Sequence, residues 1–148
     1  YKQILGEKRG DFTVLLAHEW LISMIDHNKL EIKQKLLEDN TEYKLFAHCT
    51  EKTALAGSEQ EWVNIFKYFG LTLNKTSVGC CGMAGTYGHE QVNLENSKGL
   101  FELSWQPKLA DVKEEQVLVT GYSCRSQVKR LGNLKTKHPV EVLVASLS

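Results

Sequence analysis

The chemistry open to this sequence lies in four cysteines. Cys80 and Cys81 are adjacent within Ser77-Val78-Gly79-Cys80-Cys81-Gly82-Met83-Ala84-Gly85-Thr86-Tyr87-Gly88-His89-Glu90, and the others are Cys49 and Cys124. Thiolate sulfur is a soft ligand that selects zinc, copper(I) and iron–sulfur clusters. Zinc sites usually come from Cys-x-x-Cys knuckles, whereas these cysteines are widely spaced except for one adjacent pair. Neighbouring residues do not easily fill two corners of one tetrahedron. They reach two metal atoms of one cluster more easily. Gly79, Gly82 and Gly85 would let the backbone turn and approach a cofactor closely, with backbone N–H groups available to donate to cluster sulfides. Other readings stay open on spacing alone. Vicinal thiols can act as a redox pair, and Cys49 or Cys124 can be small buried hydrophobes. A phosphate loop fits poorly, because the glycines do not follow G-x-G-x-x-G and no Gly-Lys-Ser/Thr occurs.

The elements that must position these thiols alternate. Asp11 to Leu30 reads as an amphipathic helix capped by Asp11, with Phe12, Leu15, Leu16, Trp20 and Met24 on one stripe and Leu21 and Ile25 as further candidates for it. Glu31 to Glu42 reads as charged connecting chain. Tyr43 to His48 reads as a strand ending at Cys49. Glu59 to Phe69 reads as a helix with Trp62, Ile65, Phe66 and Phe69 inward, stopped by Gly70. Leu71-Thr72-Leu73 opens a strand that runs into the glycine-rich loop. His89 to Trp105 reads as a helix offering Val92, Leu94, Leu100, Phe101 and Leu103 to the core, and Pro107 breaks or restarts it. Gln116 to Thr120 is the clearest strand. Helices follow from Ser123 to Leu131 and from Pro139. Trp20, Trp62 and Trp105 are expected in the core.

This alternation implies an α/β layered domain with a small, mainly parallel sheet flanked by helices. Loops at the carboxyl ends of parallel strands gather along one edge, where ligands bind. Cys49, the Cys80–Cys81 pair and Cys124 each follow an expected strand, so three pieces of chain bring four thiols together.

The bulk properties set bounds. The 148 residues suit one domain, 42% hydrophobic and 24% charged. Eighteen basic residues balance eighteen acidic ones, which gives no electrostatic reason to expect nucleic acid or an anionic membrane as partner. The basic run of Lys129, Arg130, Lys135, Lys137 and His138 reads as solvated surface. No apolar run approaches the ~20 residues of a membrane span, and no secretory signal is visible. Four cysteines in that setting suit a reducing compartment and metal or redox roles rather than a disulfide framework. The start at Tyr1 instead of Met is expected of a piece of a longer protein.

The run Cys-Cys-Gly-Met-Ala-Gly-Thr-Tyr-Gly, with Cys49 lying 31 positions before Cys80 and Cys124 opening a helix behind a strand, resembles the cysteine-rich CCG domain. That family includes a subunit of heterodisulfide reductase, iron–sulfur subunits of anaerobic glycerol-3-phosphate dehydrogenase and glycolate oxidase, and lactate-utilisation proteins. It also ends large fused bacterial FAD-linked oxidases, some of them D-2-hydroxyglutarate dehydrogenases. Thr120 to Gln127 and His138-Pro139-Val140-Glu141 resemble the fused enzymes most. The likeness covers Tyr43 to about Leu143, most of the chain.

The resemblance implies a [4Fe-4S] cluster on Cys49, Cys80, Cys81 and Cys124, with FAD elsewhere in the parent enzyme. The family motif ends Cys-x-x-Cys, but Gly121 stands at the first of those positions. A five-thiol non-cubane site is therefore in doubt, while four thiols suffice for an ordinary cluster. His48 and His89 are spare ligand candidates. One CCG motif is present where the family usually has two repeats. The expectation is thus one CCG-type domain over 1–148, with an N-terminal helical segment 1–42 and the repeat over 43–148. It would transfer electrons within a flavin-dependent oxidoreductase that oxidises a 2-hydroxy acid. The implied partners are an FAD domain, a ferredoxin-like domain, a first CCG repeat and an electron acceptor. The location would be cytoplasmic, peripheral at the inner membrane face at most. The alternative is a thiol-redox or acceptor-binding domain that has lost its cluster, with Arg125 as an anion contact.

Overall fold

The computed structural model of the chain describes residues 11–30 and 41–147. The charged connection read over 31–42 lies, but for its last two residues, outside them, as do residues 1–10 of the N-terminal segment. The chain divides into two compact units, Tyr1–Glu31 and Ile32–Ser148.

In the first unit, α1 spans Ala17–Asp26. It starts later than the sequence suggests. The Glu19 carboxylate accepts the Leu16 backbone N–H at 2.8 Å and fixes the first turn there, in place of an Asp11 cap. Phe12, Leu15 and Leu16 precede the helix, so helical spacing does not align them, and all three are exposed. Trp20 is also exposed, at 49%, contrary to the core position expected of it.

The second unit is built on three parallel strands, β1 (Glu42–Phe46), β2 (Thr72–Lys75) and β3 (Val117–Val119), in the order β2-β1-β3. The expected α/β class and parallel sheet are what the chain adopts. Glu42 pairs with Thr72 and Leu45 with Lys75, while Lys44 pairs with Val117 and Phe46 with Val119. Leu45, Phe46 and all of β3 are fully buried, as a parallel sheet covered on both faces requires.

Helix α2 (Cys49–Ala54) follows β1, and α3 (Ser58–Tyr68) leads to β2. Trp62, Ile65, Phe66 and Phe69 are buried as their spacing predicts. Gly70, at φ 75°, ends α3 in the left-handed conformation that favours glycine. Two short 3-10 turns, Tyr87–His89 and Gln91–Asn93, precede α4 (Leu94–Ser104). Pro107 sits at the start of α5 (Gln106–Leu109), the expected restart. Helix α6 (Tyr122–Gly132) follows β3, and α7 (Pro139–Leu147) closes the unit.

Helix α4 differs from its sequence reading. Of Val92, Leu94, Leu100, Phe101 and Leu103 only Phe101 is buried, while Val92 is 85% and Leu103 80% exposed. The inward stripe runs Ser97, Phe101, then Trp105 just past the helix, at steps of four. A small Ser97 lets the glycine-rich loop lie against the helix. Choosing the largest apolar residues points to the wrong face. Among the described residues no helix is long and apolar enough to cross a membrane.

Candidate functional site

The site forms where β1, β2 and β3 end. The His48 backbone N–H donates to Thr120 Oγ1 at 2.9 Å, and the Thr120 hydroxyl donates to the Glu51 carboxylate. The other oxygen of Glu51 accepts from Trp62 Nε1 at 3.3 Å. These bonds tie the end of β1 to the end of β3. Cys49 is the first residue of α2, with His48 as its cap: His48 Nδ1 accepts the Thr50 N–H at 3.2 Å.

The loop after β2 is held along its length. Thr76 N–H donates to the Leu45 carbonyl at 2.9 Å, and Lys52 Nζ donates to the Val78 carbonyl at 3.0 Å. Gly79 N–H donates to Ser104 Oγ at 2.6 Å, while the Gly79 carbonyl accepts from Trp105 Nε1 at 3.0 Å. Cys81 and Met83 then enter a core shared with Phe46, Phe101, Trp105, Val119 and Cys124. Gly82 has φ 85°, and a Cβ there would run into the Ser97 carbonyl. Gly88 is also close, a Cβ there lying 2.7 Å from Ser97 Oγ and 2.9 Å from the Gly82 carbonyl oxygen. Gly85, at φ 69°, turns the exposed tip with open space around it. Of the three glycines read as cofactor-binding, Gly79 and Gly82 thus anchor the loop to α4, and Gly85 shapes its end.

A buried polar network fixes the far side. Gln127 Nε2 donates to Ser97 Oγ at 2.9 Å, and both residues are fully buried. Arg130 donates to the Gln127 side chain at 2.7 Å and to the Gly88 carbonyl at 2.6 Å. Buried polar atoms without partners are costly, so this triad specifies one seating of the loop.

All four cysteines are free thiols. They stand as two pairs. Cys81 Sγ and Cys124 Sγ are 3.3 Å apart and buried. Cys49 and Cys80 are both partly exposed, and, beside burial, the charge of Cys49 helps to hold the Cys80 thiol above its usual range. The pairs are near enough for Cys81 to act on Cys80, and Cys49 on Cys124, by charge. With Cys81 ionised, the Cys124 thiol is the donor between them, which brings the Cys81 pKa down to about 7 from 9.0 against the opposing effect of burial. Cys124, as the donor, is held well above the usual thiol range, with burial and the charges of Cys81 and Cys49 adding to this. Burial also raises Cys80, partly offset by the Gly82 N–H that donates to its sulfur at 3.3 Å. The pattern is one thiolate stabilised by a neighbouring thiol.

Cys81 and Cys124, which come from two different strand ends, are thus in contact, and Cys49 and Cys80 lie close enough to bear on them by charge. Among the described residues, however, no group of three or more His, Cys, Asp or Glu is arranged to hold a metal ion. The spare candidates fare differently from each other. His89 is exposed on its 3-10 turn. His48 packs against Gly121, where the family resemblance anticipates a thiol. Arg125 donates through Nη1 to the carbonyls of Val119 at 3.0 Å and Thr120 at 3.4 Å, and its guanidinium lies 5.9 Å from the centre of the Tyr122 ring. Sequence reading missed Ser97 and Thr120, whose roles rest on contacts that no local pattern marks.

The chain is similar to part of several dehydrogenases. It is 51% identical over 144 residues to the D-2-hydroxyglutarate dehydrogenase of Pantoea ananatis, which covers 97% of this chain and 14% of that protein. The Escherichia coli protein of the same name is 50% identical over the same shares. One subunit of the anaerobic glycerol-3-phosphate dehydrogenase of Escherichia coli is 28% identical over 82 residues, 53% of this chain and 20% of that protein. The chain thus spans about a seventh of the length of the D-2-hydroxyglutarate dehydrogenases it matches. Both kinds of protein are among those that the cysteine motif resembles. No protein-family model and no solved structure matches the chain.

Proposed function

We propose that this chain is the CCG-type cysteine-rich part of a flavin- and iron–sulfur-dependent dehydrogenase of the D-2-hydroxyglutarate type, and that it holds a [4Fe-4S] cluster for electron transfer. The observation that carries this is the gathering of four free thiols from three strand ends, in two pairs that act on each other by charge. Two pairs suit the separate irons of a cluster better than one tetrahedral ion, and four thiolates is the number such a cluster takes. The similarity to dehydrogenases supports the parent activity.

Cys49, Cys80, Cys81 and Cys124 would be the ligands. When bound, the cluster supplies one-electron chemistry at a potential that its protein surroundings tune. The chain's own part is to hold the thiols, to keep water from Cys81 and Cys124, and to stabilise thiolate charge. Cys81 is the thiol most ready to ligate, because it sheds its proton near pH 7. Substrate, flavin, a ferredoxin-like domain and the first repeat would lie elsewhere in the parent enzyme, and this chain by itself is expected to have no dehydrogenase activity.

Anaerobic reconstitution with iron and sulfide tests the reading. About four irons per chain, a broad visible absorbance, and a paramagnetic signal on reduction are expected, all lost in Cys81→Ser. Four freely titrating thiols and no iron would contradict it.

The 3.3 Å approach of Cys81 to Cys124 favours one second reading. Without a cluster the two are a dithiol that can close to a disulfide, giving two electrons and two protons to an acceptor. A defined midpoint potential in a thiol–disulfide titration of iron-free chain, abolished by Cys124→Ser, would support it.

A further inference from the structure

Helix α2 carries Cys49 but has no buried face to hold it. It is six residues long, and none of them is buried. A helix that short gains little from its own hydrogen bonds, and most helices are seated by an apolar face that this one lacks. Other bonds must fix where Cys49 stands.

Two neighbouring side chains on α2 make them. Glu51 accepts on both carboxylate oxygens, from the Thr120 hydroxyl on one and from Trp62 Nε1 at 3.3 Å on the other. Thr120 directly follows β3 on the way to Cys124, and its Oγ1 also accepts the His48 N–H at 2.9 Å. Lys52 reaches elsewhere. Its Nζ donates to the Val78 carbonyl at 3.0 Å, shortly before Cys80, and lies 4.0 Å from the Glu59 carboxylate on α3. Neither residue has an oppositely charged one three or four places along α2, so neither side chain is occupied within the helix.

The topology explains the two directions. β1 is the middle strand of the order β2-β1-β3, so the helix that leaves it has the loop after β2 on one side and the end of β3 on the other. Successive residues of a helix project about 100° apart. Adjacent positions can therefore serve the two sides.

We propose that Glu51 and Lys52 are the positioning residues that assemble the thiol site: Glu51 ties the Cys49 helix to the chain leading to Cys124, and Lys52 ties it to the chain leading to Cys80. What this does for a cluster rests on the reading above. Bonds that orient ligand-bearing segments strengthen the hold on a metal.

The first test needs no cluster. In the reduced, iron-free chain, NMR of Glu51→Leu is expected to show a shifted Trp62 indole N–H and shifted amides from Thr120 to Cys124, with those from Val78 to Cys80 unchanged. Lys52→Met should move the Val78 to Cys80 amides and leave the others. Lys52→Arg, which keeps a donor of similar reach, should restore them. Glu51→Gln leaves one acceptor for two donors and should shift the same resonances as Glu51→Leu by less, which keeps the test available if Glu51→Leu unfolds. In the reconstituted chain, Glu51→Leu and Lys52→Met should each give up iron at about a tenth of the chelator concentration that wild type withstands. Phe69→Leu, a buried change at the end of α3 that leads to β2, controls for lost stability and should retain iron as wild type does. An unmoved Trp62 indole in Glu51→Leu, the same resonances moving in both variants, no recovery in Lys52→Arg, or iron held no less firmly than in Phe69→Leu would each overturn the proposal. If the wild-type chain takes up no iron, the cluster reading fails, and the resonance measurements still decide the positioning role.

Discussion

The two halves of the thiol site are built differently. The inner half, Cys81 and Cys124, belongs to the core: it shares contacts with Phe46, Phe101 and Trp105 and is joined by the 3.3 Å sulfur contact. The outer half, Cys49 and Cys80, is partly exposed and is held by the backbone of α2 and of the loop. On the proposed reading the inner thiols would serve packing and ligation together, while the outer ones would serve ligation alone. The glycines follow the same division. Gly82 is wedged against α4, and Gly85 turns in open space.

The largest effect that would sharpen this contrast is at the glycines. Gly82→Ala combines a left-handed backbone cost of ~1–2 kcal/mol with overpacking of ~1–3 kcal/mol, so a loss of about 3 kcal/mol in urea unfolding is expected. Gly85→Ala meets no neighbour and should cost only ~1–2 kcal/mol. Equal losses would remove the distinction between loop base and loop tip.

The cysteines come next. Cys81→Ser or Cys124→Ser places a more strongly polar group in the core, and a loss of ~1–3 kcal/mol is expected in the iron-free chain. Cys49→Ser and Cys80→Ser should stay within ~0.5 kcal/mol, as surface changes do.

A smaller effect lies in titration. In the reduced, iron-free chain one thiol should ionise at about pH 7, followed by thiolate ultraviolet absorbance, while Cys80 ionises above 9.0. Cys124→Ala removes the donor and should move the early transition upward. The folded pKa of Cys81 lies below its unfolded 9.0, so its contribution to stability is full above 9.0 and is lost as pH falls through about 7. Cys80 and Cys124, both raised, act the other way and cost stability as pH rises past 9.0. The smallest expected effect is at His89: its exposed ring should be replaceable by Ala within ~0.5 kcal/mol, with iron uptake unchanged.

Much of this was readable from sequence where one local pattern decides the outcome. The Trp62, Ile65, Phe66, Phe69 stripe, the apolar run of β3 and the restart at Pro107 all appear where expected. The contact of Cys81 with Cys124 followed from parallel topology, because each lies just past a strand. What escaped depends on three-dimensional fit. Ser97 looks unimportant until two glycines are seen pressed against it. Nothing local marks Phe12, Leu15 and Leu16 as lying ahead of the helix, because the Glu19 cap outweighs their spacing. Gly121 looks like a lost ligand, and only the position of the His48 ring gives it a physical reason.

The central claim is that the two halves act as one site, and iron stoichiometry in outer-half variants tests it most directly. Wild type, Cys49→Ser and Cys80→Ser, all well folded by expectation, would be reconstituted anaerobically and assayed for iron, sulfide and paramagnetic signal. The account predicts about four irons in wild type and a clear loss, or an altered signal, in both variants at unchanged stability. Full iron content with an unchanged signal in either variant would contradict it and confine the chemistry to Cys81 and Cys124.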